Sequence, residues 1–416
     1  MTFANWLMLV AVLFGISRLK FLNDRWLVVL FSFVNCLYFF FQNSPATGDA
    51  AFLQSMVDLN DHRIWISEPL SQFFLTQVLP VEIARWYLPP VMGFFASMLW
   101  LSMPSLQENI TKRNDDTVTD FARQPDRHRL TFRAIIFVSA VMQMMFYRGY
   151  AETMAYAMPF ALLYLHQLFS MIVAYKNKKT VLYQFGIVLR DISKVGALLG
   201  LAALVHGVFF SWIFVTPLIV LYLFWTQSFR KVQMWILVSA SLIMPVAVFF
   251  AGLSVFSIAG FSFDTMNATG GGDGAAFVPL IADRANPFFS YRFGSLDHIV
   301  AVLSIIVYAA VALPVVFVID AKKLWQQLVN SERHIRILHL PVSDVAIILL
   351  FLSFVGFVSV WNFDFGFFWD FDLIFALSLS SLLVTERLLL QRSFLLTVTV
   401  SVLQTALWMQ AYSRFF

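Results

Sequence analysis

Twelve apolar blocks separated by short charged turns run through this chain from end to end, and they leave it one class of fold. They lie at about 3–16, 26–41, 88–105, 134–147, 153–174, 195–208, 209–225, 233–252, 297–318, 343–361, 370–385 and 393–412. In water such blocks would need a polar surface to cover them. The chain is 60% hydrophobic, with 47 Phe and 12 Trp, and only 12% charged. Too little polar material is left to make that surface. Inside a bilayer every backbone N–H and C=O must be satisfied within the protein, so only helices and closed barrels can span it. Barrel strands alternate apolar and polar residues over roughly ten positions, and these blocks are unbroken. The expected fold is all-α: a polytopic integral membrane protein of about 12 transmembrane helices, a single transmembrane domain over 1–416. Several blocks are too short to cross a ~30 Å core unaided, which protein neighbours and local thinning of the bilayer allow. The lone Cys36 excludes an intrachain disulfide. The first 16 residues lack a basic leader and a cleavage site, so they read as a retained helix.

Charge sets the expected orientation, because Lys and Arg collect in cytoplasmic turns. Residues 195–225 form either two short spans broken at His206-Gly207 or one long helix. With two spans and the N-terminus outside, 22 of the 28 Lys and Arg fall inside and 6 outside; one span gives 17 against 11. Two spans are therefore expected. "SRLKFLNDR", "TKRNDD…RQPDRHRLTFR", "YKNKK", "SFRK", "DAKK" and "TERLLLQR" then become cytoplasmic anchors with no chemistry of their own. The outer side holds long loops at 42–87 and 253–296 and short ones at 148–152 and 362–369. Its charge is 6 basic residues against 13 acidic ones, so function is expected on that face.

Loop 42–87 carries Asp49, Asp58, Asp61, His62, Arg63, Trp65, Glu68, Glu82, Arg85 and Trp86. Its apolar residues recur at helical spacing, as in two amphipathic helices lying along the membrane surface. Asp49 follows Pro45 and Gly48 and heads the first of these helices. It either caps that helix by accepting free backbone N–H groups or acts in catalysis. In "SEPL", Ser67 suits a cap, Glu68 the helix dipole and Pro69 a first turn.

In "FYRGYAETMAY", Arg148 and Glu152 stand four apart and either form an ion pair or bind an anion at the bilayer surface. His206 in "LAALVHGVFFSW" is either a satisfied buried histidine or a cavity-lining group at a helix break. Loop 253–296 places four glycines around Asp273, as in a lid over an outward cavity, and its cations are Arg284 and Arg292. It is not a P-loop, because the Gly-Lys-Ser/Thr ending is missing. "WNFDFGFFWDFDL" sets Asp364, Asp370 and Asp372 among Phe and Trp, including Trp369, a mixture that suits carbohydrate. A divalent cation is compatible with these carboxylates, but their spacing does not call for one.

Taken together, "TGDAAF", "EPLSQFF", "YRGYAETMAYAMPFALLYL" and "LAALVHGVFFSWIFVTP" resemble the GT-C superfamily of membrane glycosyltransferases, which use polyprenyl-linked sugars. More narrowly, residues 1–225 are similar to exopolysaccharide and O-antigen polymerase-like proteins. Asp49, Glu68, Arg148 and His206 occupy the places of that pattern, and the likeness fades beyond about residue 250. The resemblance implies transfer of a sugar from a polyprenyl-phosphate-linked donor to a glycan or protein acceptor. The site would face outward from a bacterial cytoplasmic membrane, with no nucleic acid as partner. Asp49 and Glu68 would be catalytic, and Arg148, Arg292 and Arg284 would hold the donor phosphate. Glu152, His206, Arg63, Trp369, Asp370 and Asp372 would line the sugar cavity. A single carboxylate base with direct displacement would invert the anomeric carbon. Two alternatives stand beside this: a polymerase using polyprenyl-diphosphate-linked repeats, and a transporter or flippase of a lipid-linked solute. No matching pair of broken helices and no midplane polar cluster is evident in the sequence, which weighs against the transporter. If Asp49 is the base, Asp49→Asn should lower transfer by about 10²–10⁴-fold in a reconstituted assay, and full activity would remove it from that role.

Overall fold

The computed structural model describes residues 3–19, 22–41, 54, 56–58, 63–79, 81–104, 126–139, 153–175, 185–224, 231–264, 292–316, 318–319, 340–360, 371–389 and 394–412. These residues form a helical bundle with one small sheet. The long helices are α1 (Phe3–Ser17), α2 (Asp24–Phe41), α4 (Val81–Ser102), α5 (Asp126–Ser139), α6 (Thr153–Tyr175), α7 (Phe185–Val205), α8 (Val215–Phe224) and α9 (Lys231–Ile258). They continue as α10 (Leu296–Ala309), α11 (Val342–Val360), α12 (Phe371–Leu389) and α13 (Phe394–Tyr412). A short helix, α3 (Pro69–Phe73), runs into a π-turn (Phe74–Val78), and a 3-10 turn (Gly207–Trp212) joins α7 to α8.

Each of the twelve apolar blocks coincides with helix over at least part of its length. Five helices among the described residues are long and apolar enough to cross a bilayer: Asp24–Phe41, Ala155–Tyr175, Gly207–Phe224, Lys231–Ile258 and Val342–Val360. They make the chain an integral membrane protein. The expectation of twelve spans is met only in part, since α1, α10 and α13 contribute apolar stretches of 17 residues or fewer. Large apolar side chains point outward along the bundle, among them Met8, Trp235, Val255 and Leu303, as lipid-facing residues do.

Helix boundaries shift where charge was expected to end an element. α4 starts at Val81, so Glu82, Arg85 and Trp86 lie on a helix and not in a loop. α7 starts at Phe185 and takes in Arg190, Asp191 and Lys194. It ends at Val205, where His206 turns extended (φ −154°, ψ 118°), and a second apolar stretch follows. The division into two segments at His206 is as expected.

α7 and α9 pack through small residues. A Cβ on Gly200 would lie 2.5 Å from the Pro245 carbonyl oxygen, and one on Gly252 would lie 2.4 Å from Leu204. Glycine is what lets the two backbones approach so closely.

Two anchoring turns depart from the expectation of plain anchors. Arg133 lies within α5 and Glu386 within α12, at 3% and 2% exposure, with Arg133 Nε donating to Glu386 Oε1 at 2.6 Å. Arg133 Nη1 donates to the Met103 carbonyl at 2.6 Å, and its guanidinium stands 5.9 Å from the Trp100 ring centre. An ionised pair in the bundle interior is tolerated because each charge meets the other. Nearby, α10 is broken at Ala310, and Gln404 of α13 bridges the break. Its Oε1 accepts from Val311 N–H at 3.0 Å and its Nε2 donates to the Tyr308 carbonyl. The interior is thus more polar than the sequence indicates.

Removing one member of the buried pair strands the other charge. Arg133→Ala should destabilise the fold by about 3–5 kcal/mol, and the double replacement Arg133→Met with Glu386→Leu should cost much less. Thermal unfolding in detergent micelles tests this.

Candidate functional site

The site is built where the chain must repair a helix break. When α7 stops at Val205, its last carbonyls and the next N–H groups lose their helical partners, and Val205, His206 and Val208 are buried from water. The 63–79 segment supplies replacements. Ser71 Oγ donates to the Val205 carbonyl at 2.7 Å and lies 3.1 Å from the Glu68 carbonyl oxygen. Gly207 N–H donates to the Ser67 carbonyl at 2.5 Å. A Cβ on Gly207 would stand 3.0 Å from that same oxygen, so glycine allows the close approach. His206 completes the repair, its Nδ1 accepting from Val208 N–H at 3.3 Å.

These contacts bring Glu68 and His206 together across 138 positions of sequence (206 − 68). His206 Nε2 stands 3.7 Å from Glu68 Oε2, with the side chains 8% and 9% exposed. Because Nδ1 serves as an acceptor, the proton of a neutral His206 ring sits on Nε2, facing the carboxylate. The separation is longer than a hydrogen bond.

Glu68 occupies the cap position of α3, with Pro69 following, but its side chain makes no capping hydrogen bond. Pro69 in the first turn and Glu68 at the helix start are as expected, while no side-chain cap forms and one carboxylate oxygen lies beside His206. Ser67 acts through its carbonyl, not as a cap.

The surroundings hold this segment in place. Gln72 accepts from the Trp65 N–H through Oε1 and donates to Met56 Sδ at 3.2 Å through Nε2. Strand β1 (Arg63–Trp65) pairs in parallel with β2 (Ser262–Asp264), with Ile64 opposite Phe263. A satellite core of Ile64, Leu204, Phe249, Leu253 and Phe256 lies beneath, with Phe73 5.3 Å from Phe256 and 5.5 Å from Phe261 between ring centres. The expected surface helix at 70–79 is instead α3 plus a π-turn, with Ser71, Gln72, Leu75 and Thr76 buried. Phe74 of that turn stacks on Tyr156 of α6, 5.9 Å between centres at 26°.

The other sequence candidates fall as follows. Arg63 begins β1, exposed, its Cα opposite Ser262. Arg292 is exposed in the turn before α10. Asp372 falls on the first turn of α12. Asp49, Arg148, Glu152, Arg284, Trp369 and Asp370 lie outside the described residues. Among the described residues no group of three His, Cys, Asp or Glu side chains could hold a metal ion.

Sequence reasoning did not single out Ser71, Gln72 or Tyr156. Ser71 had a signal, standing three residues after Glu68 on a helical face; Tyr156 had none. Tyr156 is 6% exposed, and its hydroxyl has no hydrogen-bond partner among the described residues.

Arranged this way, a buried carboxylate beside an imidazole can accept a proton from a hydroxyl and keep it from bulk water. Ser71→Ala should remove about 1 kcal/mol of local stability and speed amide hydrogen exchange in 63–74 while leaving α9 protected; unchanged exchange would show that the Val205 bond does not hold the segment. No family model, curated protein or solved structure matches the chain.

Proposed function

We propose that this protein is a membrane glycosyltransferase, moving a sugar from a polyprenyl-phosphate-linked donor to a glycan or protein acceptor on the extracytoplasmic face. The observation that carries the reading is the Glu68–His206 pair: two proton-handling side chains, buried and fixed where a loop segment plugs a helix break. An acceptor hydroxyl attacks the anomeric carbon as the bond from that carbon to the phosphate oxygen breaks. The lipid phosphate leaves with the bonding pair, and Glu68 takes the hydroxyl proton. His206, held by Val208 N–H, positions the carboxylate through its Nε2 proton. One-step displacement inverts the anomeric centre. Arg148, Arg284 and Arg292 are the sequence candidates for the leaving phosphate.

The same site serves a polymerase, in which the acceptor is a second lipid-linked repeat and the donor carries a diphosphate. A transporter draws on a different observation, the buried Arg133–Glu386 pair and the break at Ala310. Those groups are tied to one another and to backbone carbonyls, an arrangement that serves the fold.

In proteoliposomes supplied with a polyprenyl-phosphate-linked sugar, Glu68→Gln should lower kcat by about 10²–10⁴-fold. Asp58→Asn, whose side chain is exposed and bonded to Gln54, should leave kcat unchanged. Full turnover by a folded Glu68→Gln variant would overturn the assignment.

A further inference from the structure

An apolar groove of about 310 Å³ opens between α4 and α6, lined by Phe95, Met98 and Leu99 on one side and Pro159, Phe160 and Leu163 on the other. Phe95 is 49% and Leu163 36% exposed, so the groove opens sideways, out of the bundle. Pro159 has no N–H to give and interrupts the hydrogen-bond ladder of α6 here. Any hydrocarbon in the bilayer could wet such a surface; what gives this groove a direction is the helix stripe it belongs to.

Tyr156, Phe160 and Leu163 are spaced i, i+4 and i+7 on α6 and so share one face. Along that face the groove residues lead to Tyr156, one turn nearer the start of α6. There the phenol ring stacks on Phe74, in the turn that directly continues the helix behind Glu68. Its hydroxyl, on a residue 94% buried (100 − 6), has no partner among the described residues. Apolar groove, orphan hydroxyl and buried acid–base pair thus follow one another along connected elements.

We propose that this groove is the lateral entry for the single long hydrocarbon chain of a lipid-linked phosphate substrate, and that the Tyr156 hydroxyl donates a hydrogen bond to its phosphate. The inference rests on the transfer reading for the identity of the head group. The chain lies against Phe160 and Leu163, and the phosphate reaches the level of Phe74. Tyr156 thereby sets how far the lipid slides and so where the anomeric carbon meets Glu68.

The test uses the full chain in nanodiscs with a photoreactive long-chain polyprenyl phosphate, followed by peptide mapping. Labelling is expected on α4 and α6, displaced by unlabelled polyprenyl phosphate but not by phosphatidylglycerol. Equal displacement by phosphatidylglycerol would mean ordinary bilayer lipid fills the groove and would overturn the proposal. In transfer assays, Leu163→Trp should raise KM about tenfold for a long-chain donor and leave a two-isoprene donor within about twofold. Equal effects on both donors would also overturn it. Tyr156→Phe keeps the stacked ring and should weaken the phosphate-bearing lipid but not the parent polyprenol; equal loss for both would remove the hydroxyl from its role. Wild-type protein that is labelled selectively in the groove yet transfers no sugar would uphold the groove and remove the transfer reading.

Discussion

A buried helix break must find partners for its backbone, and the rest of this site depends on how the break at His206 is closed. Val205 offers a carbonyl, and Gly207 and Val208 offer N–H groups, where water cannot take them. Ser71 Oγ, the Ser67 carbonyl and His206 Nδ1 take them instead. With Ser67 and Ser71 committed to those bonds, Glu68 between them is carried to within 3.7 Å of His206. The approach of Glu68 to His206 is therefore a consequence of satisfying the backbone.

The same repair explains why a loop segment can be rigid beside a membrane. Segment 63–79 is held from below by aromatic packing on Phe256 and Phe261 and from the side by the short parallel pairing with Ser262–Asp264. That pairing joins the stretches that the sequence separates into two outer loops. Side chains on such a clasp keep their geometry without a soluble domain. The cost falls on the interior, where Arg133, Glu386 and Gln404 must each find a protein partner because no water is at hand.

Much of the bundle was legible beforehand, since an apolar block of helical length has few ways to satisfy its backbone in lipid. The break at His206 was legible from charge balance, because a single span would have placed too many cations outside. Glu68 was legible as a residue but not as a contact: the Ser-Glu-Pro pattern points to a helix start, which it is, and nothing local records that His206 lies across from it. Arg133 was misread because a basic turn adjoining a span looks the same whether its last arginine ends in headgroups or in a neighbour's carboxylate. The three-residue strands were invisible, being too short for alternation to register.

By itself, then, the sequence determined that the chain is helical and membrane-embedded, because composition and block length bear directly on transfer from water to lipid. It also located the break at His206, though not the one at Ala310. Only the tertiary structure decided that Glu68 meets His206, that Arg133 meets Glu386, and that the Tyr156 hydroxyl, beside Phe74, has no partner among the described residues. Such pairings join distant positions, 138 apart (206 − 68) for the first. They follow from which backbone groups are left unsatisfied when the helices pack, and no local pattern of residues records that.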